Sequence, residues 1–221
     1  FLSQPKTIDL FSNERILIRE ITWWFPKTLH CTYIWEEVLL NNKSILNIIQ
    51  KESDQSLKYL LIILNSSLIS FFHQRKSVKW NRSLFPKIVA KDLQNIPIKK
   101  IPLSNQQPFI EKADLMLSLN KTLHEKIDGF LKLITQKWSI AKPSTKLQKF
   151  RELDFAGLLK ELKWVKISLA EQAELMDFFA TKKQEIIELK QTIDRADKEI
   201  DEMIFDLYEL TEEQRKVVLG G

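Results

Sequence analysis

The residues in this sequence whose types could do chemistry are three histidines, one cysteine and a basic run around a tryptophan. His30, His73 and His124 lack the i, i+4 spacing that sets two imidazoles on one helix face for a metal ion. Cys31 is the only cysteine, so it forms neither an internal disulfide nor a cysteine zinc site. The pattern argues against metal chemistry and, through its cysteine usage, for a reducing, cytoplasmic compartment. Four glycines in 221 residues provide no Gly-x-Gly run to cradle a nucleotide phosphate, which removes most cofactor enzymes. Glu188-Leu189-Lys190 matches the second half of a Pro-Asp...Glu-x-Lys nuclease core, but the first half is absent and the tripeptide lies on a helix seam.

The basic run is the stronger signal. Residues 71–100 carry eight Lys or Arg against one acid, a net +7, whereas residues 151–221 carry eleven basic against seventeen acidic residues, a net −6. Within the basic stretch Arg75, Lys76, Lys79, Trp80, Asn81 and Arg82 combine cations, an amide and an aromatic ring, the mixture suited to a nucleic acid. Arg, Lys and Asn can bond base edges or phosphates, and Trp80 is a candidate wedge or stacking residue. Lys27 and His30 are further candidates for facing double-stranded DNA, while Tyr33 and Trp35 share one strand face and serve equally as core. A solvated basic loop is the plain alternative, and His73, Arg75 and Lys76 would complement a helix dipole without any DNA. Asn65 and Ser66 read as a packing or capping feature, since both side chains bond locally.

The elements that must position these residues follow from periodicity. Residues 15–22 and 29–35, rich in β-branched side chains and partly alternating, predict two strands, and 44–50 a third. From Gln55 the period changes: Leu57, Leu60, Leu61, Leu64, Leu68 and Phe71 predict one helix ending near His73. Pro86, Pro97 and Pro102 then divide an irregular stretch. Pro108 falls in the first turn of a helix reaching about Trp138, and residues 141–145 are the linker candidate. Asp154, Ser168 with Glu171, and Thr211 with Gln214 mark three further helix starts. Ile186, Ile193, Ile200 and Leu207, with Leu189, Ala196, Met203 and Leu210, form a heptad seam that predicts a coiled-coil-like antiparallel partner for the helix from Pro108. The expected class is α+β, a small mixed sheet with a packed helix followed by a long antiparallel helical pair, divided at 107/108. The longest apolar stretch, Tyr59 to Phe72, is too short and too interrupted to span a bilayer. Without an initiator methionine, the chain reads as a piece of a longer or processed polypeptide.

Several segments, in order, resemble one family. Leu64-Asn65-Ser66 on an apolar helix, a basic loop, Phe85-Pro86-Lys87, Asp92-Leu93 and Ile96-Pro97-Ile98 are similar to the TaqI-like C-terminal specificity domain. Such domains are found in N6-adenine DNA methyltransferases and fused restriction-modification enzymes. The strand Glu14 to Thr22 is similar to the one that opens these domains, and Asp206-Leu207-Tyr208-Glu209-Leu210-Thr211 resembles the C-terminal helices of the same enzymes.

The resemblance implies a DNA target recognition domain in residues 1–107, beside a helical coiled-coil-like region in 108–221. It also implies an upstream methyltransferase domain in the same polypeptide that binds S-adenosylmethionine and flips the adenine, with or without a fused nuclease. The chain itself has neither the glycine-bearing cofactor loop nor an Asn-Pro-Pro-Tyr-type motif, so no cofactor and no catalysis are expected here. A helical protein-interaction scaffold with an incidental basic loop is the competing reading.

Overall fold

In the computed structural model the described residues are 13–21, 27–35, 45–49, 53–77, 87–163 and 165–220. They form two compact units, one made of residues 1–117 and 197–221 and the other of residues 118–196.

The first unit is built on three strands, β1 (Arg15–Arg19), β2 (Cys31–Ile34) and β3 (Ile45–Ile49), in the order β2-β1-β3. Ile16 lies opposite Tyr33 on one side and Ile48 on the other, and both pairings are antiparallel rather than mixed. The sequence shows where the strands are but not their directions, because the segments joining them are long enough for either sense. As the central strand, β1 is buried over Arg15 to Ile18, and Ile16 and Ile18 enter the core with Leu29 and Tyr33.

The predicted single helix is two: α1 (Leu57–Leu64) and α2 (Ser67–Lys76). Its apolar spacing runs through the break, so periodicity alone shows one helix. The break is polar and local. Ser66 Oγ accepts from the Ile69 N–H as the N-cap of α2 and donates to the Ile63 carbonyl. Asn65 turns to β2, donating to the Cys31 carbonyl at 3.0 Å and accepting from the Cys31 N–H at 2.9 Å.

A short helix α3 (Ala90–Gln94) follows, then α4 (Leu103–Lys137), which starts before the predicted Pro108. The turn preceding the proline is secured by Gln106, wholly buried, whose Oε1 accepts from the Ser56 N–H and whose Nε2 donates to the Asp54 and Ile101 carbonyls. In this unit α4 runs antiparallel to α7 (Leu169–Leu207): Lys112 meets Glu199 at 2.6 Å, while Lys99, ahead of α4, pairs with Glu209 beyond α7. Ile200 and Ile204 join Tyr59, Phe109 and Ala113 in the core, where Tyr59 and Phe109 meet edge to face at 5.4 Å. The final helix, α8 (Glu212–Leu219), starts with the predicted capping box between Thr211 and Gln214.

The second unit holds the rest of the helical pair, again antiparallel, with Lys126 on Glu185 and Lys137 on Glu174. Its core is aromatic, with Phe130 stacked on Phe150 at 3.9 Å and Phe179 beside both. The expected linker leads into α5 (Thr145–Gln148), capped by Ser144, a 3-10 turn at Phe150–Glu152, and α6 (Phe155–Glu161), capped by Asp154 as predicted. Ile186, Ile193, Ala196 and Ile200 of the heptad set are buried, and Ser168 and Glu171 cap α7 reciprocally. Among the described residues no helix is long and apolar enough to cross a membrane.

Candidate nucleic-acid interface

Four segments converge where β1 ends and β2 begins. The Arg19 N–H donates to the His30 carbonyl at 3.1 Å, and the Ile88 N–H donates to the Glu20 carbonyl at 2.9 Å. The Thr28 N–H donates to Ser70 Oγ of α2 at 3.1 Å, and His73 Nε2 lies 4.0 Å from the Asp92 carboxylate of α3. This arrangement includes, on the joined segments, His30, Arg75 and Lys76, all exposed. It adds Arg19 and Lys91, also exposed, and Lys87, whose ammonium is 3.7 Å from Glu20. Arg19 could have been found from its position, as the first residue of β1 past the buried run, where alternation no longer requires an apolar side chain.

The other sequence candidates are placed as follows. Lys79, Trp80, Asn81 and Arg82 lie outside the described residues; of the residues flanking that segment, Ser77 follows α2 and Lys87 joins the chain just past the end of β1. The Ser77 N–H donates to the His73 carbonyl at 2.8 Å, and Lys87 bridges to Ile21. Arg75 rests its guanidinium 4.9 Å over the Phe71 ring, which leaves its donors directed outward. Lys27 is separate from this group: its ammonium is 2.8 Å from Asp197 and 3.2 Å from Asp201, so its charge is already compensated. Tyr33 is core, whereas Trp35 is 59% exposed and follows the far end of β2, where Ile34 pairs with Arg15.

Desolvation, and secondarily the Arg19 charge, holds the His30 pKa below the usual histidine value, which disfavours the protonated ring. Burial pushes the Cys31 thiol up to about 12, which keeps it protonated and poorly nucleophilic at neutral pH. Among the described residues, no three His, Cys, Asp or Glu side chains are grouped to hold a metal. The described glycines Gly129 and Gly157 fall inside α4 and α6, and Gly220 ends α8.

Two stretches of the chain match family models. Residues 2–98 match the TaqI-like C-terminal specificity domain. Residues 102–204 match a domain of unknown function, DUF8810. No curated protein and no solved structure gives a significant match. Residues 2–98 are thus similar to a TaqI-like specificity domain, which supports a role in DNA sequence specificity in restriction-modification systems. The two matches do not follow the structural units, because residues 197–204 of the second match fold with the first.

Proposed function

We propose that the TaqI-like specificity domain reads base sequence in duplex DNA on behalf of an N6-adenine methyltransferase domain in the same polypeptide, in the cytoplasm. Residues 1–107 serve as the target recognition domain and residues 108–221 as the helical, coiled-coil-like region. The observation that supports this reading is that the segments bearing the exposed basic residues Arg19, His30, Arg75, Lys76, Lys87 and Lys91 are joined to one another by hydrogen bonds, a strand bridge and the His73–Asp92 approach.

Lysine and arginine there neutralise phosphates and set the register, while Arg82 and Asn81 have the donor patterns that distinguish guanine and adenine edges in the major groove. Trp80 supplies the wedge or stacking surface. In this reading S-adenosylmethionine and the transfer step belong to the upstream domain, and this chain by itself is expected to perform no methyl transfer or cleavage.

The test is fluorescence anisotropy on duplex DNA across a salt series, with Arg75, Lys79 and Arg82 reversed to Glu together. Affinity should fall, and the log-log slope should flatten by about 0.9 for each phosphate that is no longer neutralised. Trp80→Ala should lower affinity with little change in slope. A triple variant with unchanged affinity and slope would return the basic segment to solvated surface and favour a protein-interaction scaffold.

A further inference from the structure

The second unit contains a cleft of about 680 Å³ between the end of α4 and the short helices α5 and α6. Leu147 and Leu162, both buried, form its floor and Trp138 one wall, while Lys142, Lys146 and Lys160 stand exposed on its rim. Residues 137–166 hold eight Lys or Arg against three acids, a net +5, whereas the part of α7 in this unit, residues 169–196, holds four against six, a net −2.

The two sets of lysines are treated differently. On the helical pair of this unit Lys126, Lys137, Lys182 and Lys190 each have a carboxylate within 4.0 Å. Among the described residues Lys142, Lys146 and Lys160 have none, although six carboxylates of α7 belong to the same unit. The one carboxylate lining the cleft, Glu161, accepts the Ser144 hydroxyl at 2.6 Å instead of a lysine. Repulsion among uncompensated ammonium groups around a concave, partly apolar surface raises the local potential and costs stability, and a polyanion that enters relieves both.

From this geometry we infer that the cleft rimmed by Lys142, Lys146 and Lys160 binds the sugar-phosphate backbone of duplex DNA without regard to sequence. It is a second contact, remote in sequence from the recognition segment. The ammonium groups take phosphate oxygens as point charges, and the apolar floor and Trp138 face the deoxyribose edge. The inference takes its ligand from the proposed DNA-reading role, and it adds affinity without adding sequence information.

The experiment compares three forms of the full chain: the unaltered protein, K142E/K146E/K160E, and the recognition-segment triple variant at Arg75, Lys79 and Arg82. Each is titrated with mixed-sequence duplex across a salt series, and bound duplexes are selected from a random-sequence pool. The cleft variant should bind more weakly, with a slope reduced by about 0.9 for each phosphate it fails to neutralise, yet select the same sequence as the unaltered protein. The corresponding Lys→Gln variant, which removes charge without reversing it, should show the same direction with unchanged thermal unfolding. If the cleft variants keep the full slope while the recognition-segment variant loses it, the cleft inference falls and the proposed function stands. If neither set changes binding, both fall. If tripolyphosphate binds the unaltered protein through these lysines while the duplex slope is insensitive to them, the cleft is a small-phosphate site and the inference is overturned.

Discussion

Asp201 receives both polar hydrogens of Ser67, the backbone N–H at 2.8 Å and the hydroxyl at 2.6 Å, from 134 residues away in sequence. The carboxylate thereby occupies the N-terminus of α2, where the first N–H groups lack helical partners and the dipole favours negative charge. The same carboxylate lies 3.2 Å from Lys27, so one residue of α7 ties both α2 and the approach to β2. Asp201→Ala should cost about 1–3 kcal/mol through the unmade bonds of Ser67 and a cation left without its neighbour. Asp201→Asn should cost less. Urea midpoints would check it, and an unchanged midpoint for Asp201→Ala would remove this anchor.

Asn65 performs on β2 the pairing a neighbouring strand would provide, because it bonds the N–H and the carbonyl of a single residue, Cys31. Only an amide supplies a donor and an acceptor at that spacing. Asn65→Asp should therefore be destabilising although nearly isosteric, since its carboxylate would face the Cys31 carbonyl; a loss of about 1–2 kcal/mol is expected. Hydrogen exchange of the Cys31 amide should quicken in Asn65→Ala. Equal protection in the variant and the unaltered protein would contradict the arrangement.

Tyr208, from the second of the two motifs that resemble the specificity-domain enzymes, closes on the first. Its hydroxyl donates to the Pro97 carbonyl at 2.6 Å and accepts from the Lys99 N–H at 3.1 Å, while Tyr59 donates to the Lys99 carbonyl at 2.6 Å. Tyr208→Phe should leave two backbone groups without this partner and cost about 1–2 kcal/mol, with little change in the fold of the second unit. Limited proteolysis near residues 97–101 offers a direct readout, with faster cleavage expected in the variant.

The sequence showed most clearly what is encoded locally. Three strands, the caps at Asp154, Ser168 and Thr211, and the buried heptad positions Ile186, Ile193 and Ile200 all depend on neighbours within a few residues. What it concealed depends on partners far along the chain. Lys27 reads as an exposed cation beside a tryptophan pair, and nothing near it announces Asp197 or Asp201. Gln106 reads as a surface residue early in a helix but is buried, because the groups it satisfies lie in the turn before α1 and ahead of α4. Arg19 and His30 become neighbours only through strand pairing, so their individual types were legible and their convergence was not.

His73 makes stability depend on pH in a definite direction. Its ring is 3% exposed in the last turn of α2, and burial holds its pKa below 6.5 against a smaller opposing pull from Asp92, 4.0 Å away. The folded state thus binds a proton less readily than the unfolded chain, whose histidine titrates near 6.5. Between the two pKa values the unfolded state holds more protons, so stability rises with pH across that window. The contribution is complete above about 6.5 and is lost as pH falls towards the lowered value. His30 is shifted in the same direction and adds to the effect. Urea midpoints at pH 7.5 and 5.5 should differ in the unaltered protein, and the difference should shrink in His73→Gln. Staying above pH 5 avoids the carboxylates Glu171 and Glu185, whose hydrogen bonds hold their own pKa values below the ordinary range. If His73→Gln loses as much stability on acidification as the unaltered protein, burial of this imidazole is not the source of the dependence.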